Sequence, residues 1–124
     1  MGISVDKNFF QTQDEVFQDM RKTGYWPTTY ISPASGELPV HWHNLDIVAY
    51  VMSGETYLLD ENGTRFPLEK GDRLNLPAGV MHAEGEVKDS VTYIVTISEC
   101  IPFMDALSLL DPGTYPEPAP LAMA

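Results

Sequence analysis

The pattern of apolar and polar positions changes once along this chain. Over residues 12–23, Val16, Phe17 and Met20 recur at helical spacing and share one face. Thr12 and Glu15 are spaced as a capping box ahead of that run, and Gly24 stands where a left-handed residue would end it. The pattern predicts a short N-terminal helix over 12–23.

From residue 25 the helical period gives way to short apolar or alternating runs separated by turn residues. The strands expected are 25–32, 39–43, 47–53, 55–60, 64–68, 73–76, 83–87 and 91–98. Between them stand Ser53-Gly54, Glu61-Asn62-Gly63, Lys70-Gly71-Asp72 and Pro77-Ala78-Gly79. Asn62-Gly63 is a strong hairpin signal, since both residues tolerate positive φ. Many short strands at this spacing predict an all-β antiparallel sandwich or barrel. After Pro102 the apolar stretch 103–110 predicts a short C-terminal helical segment on the barrel, ended by Asp111-Pro112-Gly113. The tail beyond holds Pro116, Pro118 and Pro120 and is expected to be disordered or to lie against a partner subunit. No repeat or second composition regime appears, so the expectation is a single domain over 1–124, with its core barrel at 25–99 and a proline-rich tail at 112–124.

Composition narrows the function classes. The 124 residues suffice for one hydrophobic core. Seven basic residues against eighteen acidic ones, a formal charge of −11, exclude nucleic acid and anionic membrane surfaces as expected partners. There is no long apolar run, and the segment from Met1 to Lys7 lacks a basic stretch followed by an apolar one. Cys100 has no second cysteine to pair with and reads as a small buried hydrophobe. Together these features point to the cytoplasm.

The chemistry lies in the histidines. His41-Trp42-His43 falls on an expected strand, where side chains alternate with period two, so His41 and His43 share a face. An antiparallel barrel can bring His82, after its Pro-Ala-Gly turn, beside them. Neutral imidazole is a common ligand of transition metals, so the three histidines are expected to hold one divalent ion, with Fe, Zn, Ni, Mn and Cu all open.

At these residues the chain resembles the cupin superfamily, as a small single-domain member. One cupin motif is matched by Gly36, His41-Trp42-His43 and Gly54, and the other by Gly71, Pro77-Ala78-Gly79 and His82. The resemblance covers roughly residues 30–98 and implies a double-stranded β-helix, or jelly-roll barrel, in a homodimer. Relative to the family spacing, one residue is missing between Gly36 and His41, and Glu86 stands where the second motif has Asn. The family's glutamate position falls on Ile47, with Asp46 one residue early. On a regular strand 41, 43, 45 and 47 share a face, so Ile47 points at the ion and Asp46 points away unless a bulge turns it. This register favours a three-histidine site over one that adds Asp46.

The expected pocket is small and apolar, lined by Ile47, Ala49, Val51, Tyr93 and Val95. Tyr93 is the candidate pocket hydroxyl, against the simpler reading of a core aromatic. Trp42 is read as outer-face packing under the N-terminal helix or in a dimer interface, and Glu84 and Glu86 as solvated strand residues. Three neutral imidazoles leave the ion its full charge and open positions for water or an anionic chelate. With iron that suits oxygen and substrate together, and some cupin dioxygenases of small thiols and diketones are described as using three histidines. With zinc it activates water for hydration, hydrolysis or elimination. The expected function is therefore a small metal-dependent enzyme, oxygenase-like or lyase-like, on a small organic acid or carbonyl compound. The alternatives are a non-catalytic small-molecule-binding or metal-binding cupin, and a metal-free isomerase using His82 with Tyr93.

Overall fold

The computed structural model describes residues 2–115. Its elements are β1 (Ser4–Asp6), α1 (Gln13–Thr23), β2 (Trp26–Ser32), β3 (Ile47–Ser53), β4 (Glu55–Asp60), β5 (Arg65–Glu69), β6 (Arg73–Leu76), β7 (His82–Glu84), β8 (Val91–Ile97) and α2 (Phe103–Ala106), followed by a 3-10 turn at Pro112–Thr114. The strands form two antiparallel sheets, one ordered β1-β6-β3-β8-β2 and one ordered β5-β4-β7. This is the all-β jelly-roll architecture the strand pattern and the resemblance implied, with one short helix before β2 and another after β8 in the chain.

Register decides which residues face the interior. β3 pairs with β8 as Ile47↔Ile97, Ala49↔Val95 and Val51↔Tyr93, and β2 pairs with β8 as Tyr30↔Tyr93. Directly opposed residues in an antiparallel ladder project to the same side, so these side chains make one inner face. With Leu58 and Leu68 from the second sheet they form the main core. The alternate residues, Tyr50↔Ile94, face outward and are covered by α1 through Val16, with Phe10 beside them.

The helix forms as its pattern predicts. Thr12 Oγ1 accepts from the Glu15 amide, the Glu15 carboxylate accepts from the Thr12 amide, and Gly24 closes the helix at φ 70°. Such a cap stabilises the helix by about 1 kcal/mol. Its packing face differs from the expectation, because Phe17 is exposed and Asp19 is buried. Asp19 accepts from the Tyr50 hydroxyl and from Arg73, which fastens the helix to β3 and β6.

Several expectations need correction. β1 was not foreseen, because three residues are too few to show a period; it is held by pairing with β6. The expected strand 39–43 is only a pair of isolated bridges, His41↔His82 and Trp42↔Leu110. The chain bends at Asn44 and Leu45 before β3 begins. The expected strand 83–87 is reduced to His82–Glu84, and the helix over 103–110 stops at Ala106 because the chain then extends to pair with Trp42. In the hairpin only Gly63 takes positive φ; the Asp60 carboxylate accepts from the amides of Asn62 and Thr64 and shapes the turn instead. Cys100 is exposed, not buried, because it follows the end of β8. Pro116, Pro118 and Pro120 lie outside the described residues.

Candidate metal centre

The His41↔His82 bridge is the foundation of the site. Each residue's amide donates to the other's carbonyl, at 2.8 and 2.9 Å, so the two imidazoles project together with ring centroids 4.4 Å apart. His43, two residues on, returns to the same side, with its ring 5.1 Å from His41 and 5.0 Å from His82. The Gly79 amide donates to the His43 carbonyl at 2.9 Å, so the Pro-Ala-Gly turn anchors the His43 backbone.

Each ring is oriented through its Nδ1. These atoms lie 2.7 Å from the Pro39 carbonyl for His41, 3.0 Å from the Ser108 carbonyl for His43 and 2.9 Å from the Val80 carbonyl for His82. A carbonyl can only accept, so each Nδ1 carries its proton and each neutral ring keeps its lone pair on Nε2. Three aligned Nε2 lone pairs, each fixed from behind by an N–H bond, form the supporting pattern of metal-binding histidines. His43 differs from the others in that its acceptor comes from the C-terminal segment.

The carboxylate in the cluster is Glu84. It lies on β7 two residues from His82 and therefore on the same face, and one donor atom from each of His41, His43, His82 and Glu84 lies within 4.8 Å of the others. Glu84 is thus not the solvated residue expected. Its side chain is only 36% exposed, and its Oε2 is buried 2.9 Å from His41 Nε2. That approach lacks hydrogen-bond geometry, and His41 Nε2, His82 Nε2 and Glu84 Oε2 are all buried without a hydrogen-bond partner among the described residues. Orphaned buried polar atoms are rare, and these three belong to one group. Three imidazole nitrogens and a carboxylate also match what a divalent transition ion takes, so the residues fit a metal.

Charge follows the geometry. Burial alone would raise the pKa of Glu84, but its contacts with His41 and His82 hold it far below the usual carboxylate range. Burial would lower His41, yet Glu84 and the Pro39 carbonyl outweigh it and raise its pKa. His43 is pushed down to about 4 by burial and then by His82 and His41. The site thus holds one fixed negative charge and draws one positive charge towards it.

The other expected residues are placed as follows. Asp46 points away, its carboxylate accepting from the Ala78 amide at 2.8 Å and from the Tyr25 hydroxyl at 3.4 Å. Ile47, Ala49, Tyr93 and Val95 line a cavity of about 150 Å³ beside the cluster, and His43 and Glu84 face it. Val51 is in the core but does not line that cavity. Leu107 and Leu109 close part of the wall. Glu86 is exposed, as expected. Trp42 is buried beneath the C-terminal segment, not under α1: its Nε1 donates to the Asp111 carbonyl at 3.0 Å and its ring meets Tyr115 edge-on. Sequence reasoning missed Glu84, although the period-two spacing from His82 carried the signal.

Neither a scan against protein-family models nor a search of curated proteins gives a match. Solved structures do match. A DUF861 family protein from Thermotoga maritima aligns at TM-score 0.58 with 18% identity, over 77% of this chain and 98% of that one. A DMSP lyase from Ruegeria pomeroyi aligns at 0.52 with 23% identity, over 60% of this chain and 38% of that one. A cupin-2 domain containing protein from Shewanella frigidimarina aligns at 0.50 with 23% identity, over 58% and 68%. At these identities the likeness speaks for the fold, and it agrees with the two motifs and the two-sheet topology: the chain is a small protein of the cupin, double-stranded β-helix fold.

Proposed function

We propose that this chain is a metal-dependent cupin enzyme that binds one divalent transition ion through His41, His43, His82 and Glu84 and acts on a small organic acid or carbonyl compound. The observation that carries the reading is the convergence of those four donors within 4.8 Å, with buried nitrogen and oxygen atoms left without hydrogen-bond partners among the described residues. Glu84 replaces the carboxylate that the family spacing would have put at Ile47, and it does so from the strand of His82. When bound, the ion would supply Lewis acidity towards an oxygen of the substrate or towards water, which suits lyase-like or oxygenase-like chemistry.

The protein's own share is to prepare the site. The carbonyls of Pro39, Ser108 and Val80 hold the imidazoles in the ligating tautomer, so little reorganisation accompanies binding. Glu84 supplies one negative charge. Ile47, Ala49 and Val95 keep the adjoining cavity apolar, which strengthens electrostatic contacts made there. A homodimer belongs to the same reading. β2 is an edge of its sheet, with Trp26 and Ile31 exposed, and a single-chain mass by light scattering would remove that part.

Metal analysis of protein purified without a metal-affinity tag tests the reading. One equivalent of transition metal is expected, and less than about a tenth after attempted reconstitution overturns it.

A further inference from the structure

The cavity beside the four donors has a polar feature that ion binding does not use. Tyr30 and Tyr93 are directly opposed on β2 and β8, so their side chains stand side by side on the inner face, and both line the cavity. Tyr93 is only 9% exposed. The hydroxyls of Tyr25, Tyr50 and Tyr57 donate to Asp46, Asp19 and Glu37. Among the described residues, no such partner takes the hydroxyls of Tyr30 or Tyr93. Of the other hydroxyls on the wall, Thr56 Oγ1 donates to the Glu86 carbonyl and Ser35 Oγ to the Gly36 carbonyl, each at 2.9 Å, while Ser32 has no such partner among the described residues. Tyr93 is buried and Tyr30 partly buried, and both line the cavity, so the unpartnered pair offers two donors to an oxygen placed there.

The rest of the lining sets the charge of what carries that oxygen. Leu58, Leu74, Leu76 and Leu107 are apolar, and Glu84 is the one charged residue among the described residues lining the cavity. Arg65 stacks on the Tyr57 ring but lies outside the lining. Three neutral imidazoles and one carboxylate would leave a divalent ion with one net positive charge, which one negative charge on the ligand balances. A second carboxylate would be buried against leucine with no cation to meet it. The volume, about 150 Å³, is that of a cavity that holds a benzene-sized molecule, so only a short tail fits.

We infer that Tyr30 and Tyr93 form a neutral donor pair for the oxyacid end of a small, singly charged, chelating substrate whose hydrocarbon tail lies against the leucine wall. The inference rests on the metal-site reading above and goes beyond it by naming the substrate class and two residues that select it. Both phenols act as hydrogen-bond donors, with no covalent role.

The test uses the full chain loaded with cobalt(II), whose visible band reports ligand binding at the ion. α-Ketovalerate and α-ketoglutarate have the same chain length and differ by the second carboxylate. We expect α-ketovalerate to bind at least about tenfold more tightly, and Tyr93→Phe to weaken it about tenfold, with the cobalt affinity of the ligand-free protein unchanged. Tyr30→Phe, on the more exposed strand, should weaken it in the same direction and carries the test if Tyr93→Phe fails to fold. Equal or tighter binding of α-ketoglutarate, α-ketovalerate binding that ignores both substitutions, or a loss of cobalt affinity in Tyr93→Phe overturns the inference while leaving the metal site standing. Failure of the unaltered chain to take up cobalt overturns the metal-site reading itself.

Discussion

Glu84→Gln is the sharpest test of the site, because it keeps the shape of the side chain and removes its charge. Removing one partner of a buried charge pair costs about 3–5 kcal/mol. The Glu84 side chain is 36% exposed, and water screens that part. The low end, about 3 kcal/mol, therefore applies, and it corresponds to roughly a hundredfold weaker ion binding. The assay is competition for zinc against a chromophoric chelator at neutral pH, with Asp46→Asn as the control. Asp46 is already engaged by Ala78 and Tyr25, so the control should bind zinc as the unaltered chain does. In the metal-free protein the substitution should also lower the pKa of His41. Burial would then act on that ring without the Glu84 charge that now outweighs it, and the shift is measurable by NMR titration. A Glu84→Gln protein with unchanged zinc affinity, or an Asp46→Asn protein with an equal loss, would refute the assignment of the carboxylate.

Three further outcomes follow from the packing. His43→Ala should abolish zinc binding and release the Ser108 carbonyl that Nδ1 engages, so proteolysis within residues 103–111 should become faster; unchanged cleavage would show that His43 does not hold that segment. Asp72→Asn should destabilise the fold by about 2–4 kcal/mol in urea unfolding, since the buried Asp72 carboxylate accepts from the Asn8 and Glu69 amides and from Lys7. Burial alone would raise the pKa of Asp72, but the Lys7 contact and the two amide bonds hold it below the ordinary 3.8. Its stabilisation is therefore complete above that value and lost as pH falls through the lower native one, and this part of the acid dependence should vanish in the variant. Gly54→Ala should cost about 2–4 kcal/mol in thermal melting, because Gly54 sits at φ +88° and a Cβ there would lie 2.4 Å from the Ser90 carbonyl oxygen, a backbone atom that cannot yield; a loss too small to measure would refute this.

Local patterns carried far in this chain. The capping box at Thr12 and Glu15, the stop at Gly24 and the strands Ile47–Ser53, Glu55–Asp60 and Arg73–Leu76 appear where periodicity placed them. Each depends on contacts within a few residues, or on a hydrophobic alternation that any barrel of this kind requires. The convergence of His41, His43 and His82 was also legible, because two lie on one pleat and the third follows a turn that starts a strand. The expectation failed at Trp42 and Glu84, where a long-range partner decides, and at Cys100, which lies exposed past the end of β8. Trp42 is buried because Leu110 and Asp111 return across it, and no nearby residue announces that return.

The carboxylate shows the division most clearly. Sequence spacing alone determined that Ile47 occupies the position where the family has glutamate; the outward direction of Asp46, expected from a regular strand, is set instead by its bonds to Ala78 and Tyr25, since the chain bends at Asn44 and Leu45. The two-residue spacing of Glu84 from His82 was present in the sequence, but the expected strand began at Ala83 and Glu84 was read as solvated. Only the tertiary structure decided that the face they share meets His41 and His43. The pairing of His41 with His82 joins segments far apart in the chain, and the imidazoles and the carboxylate become one group only when that pairing buries them together.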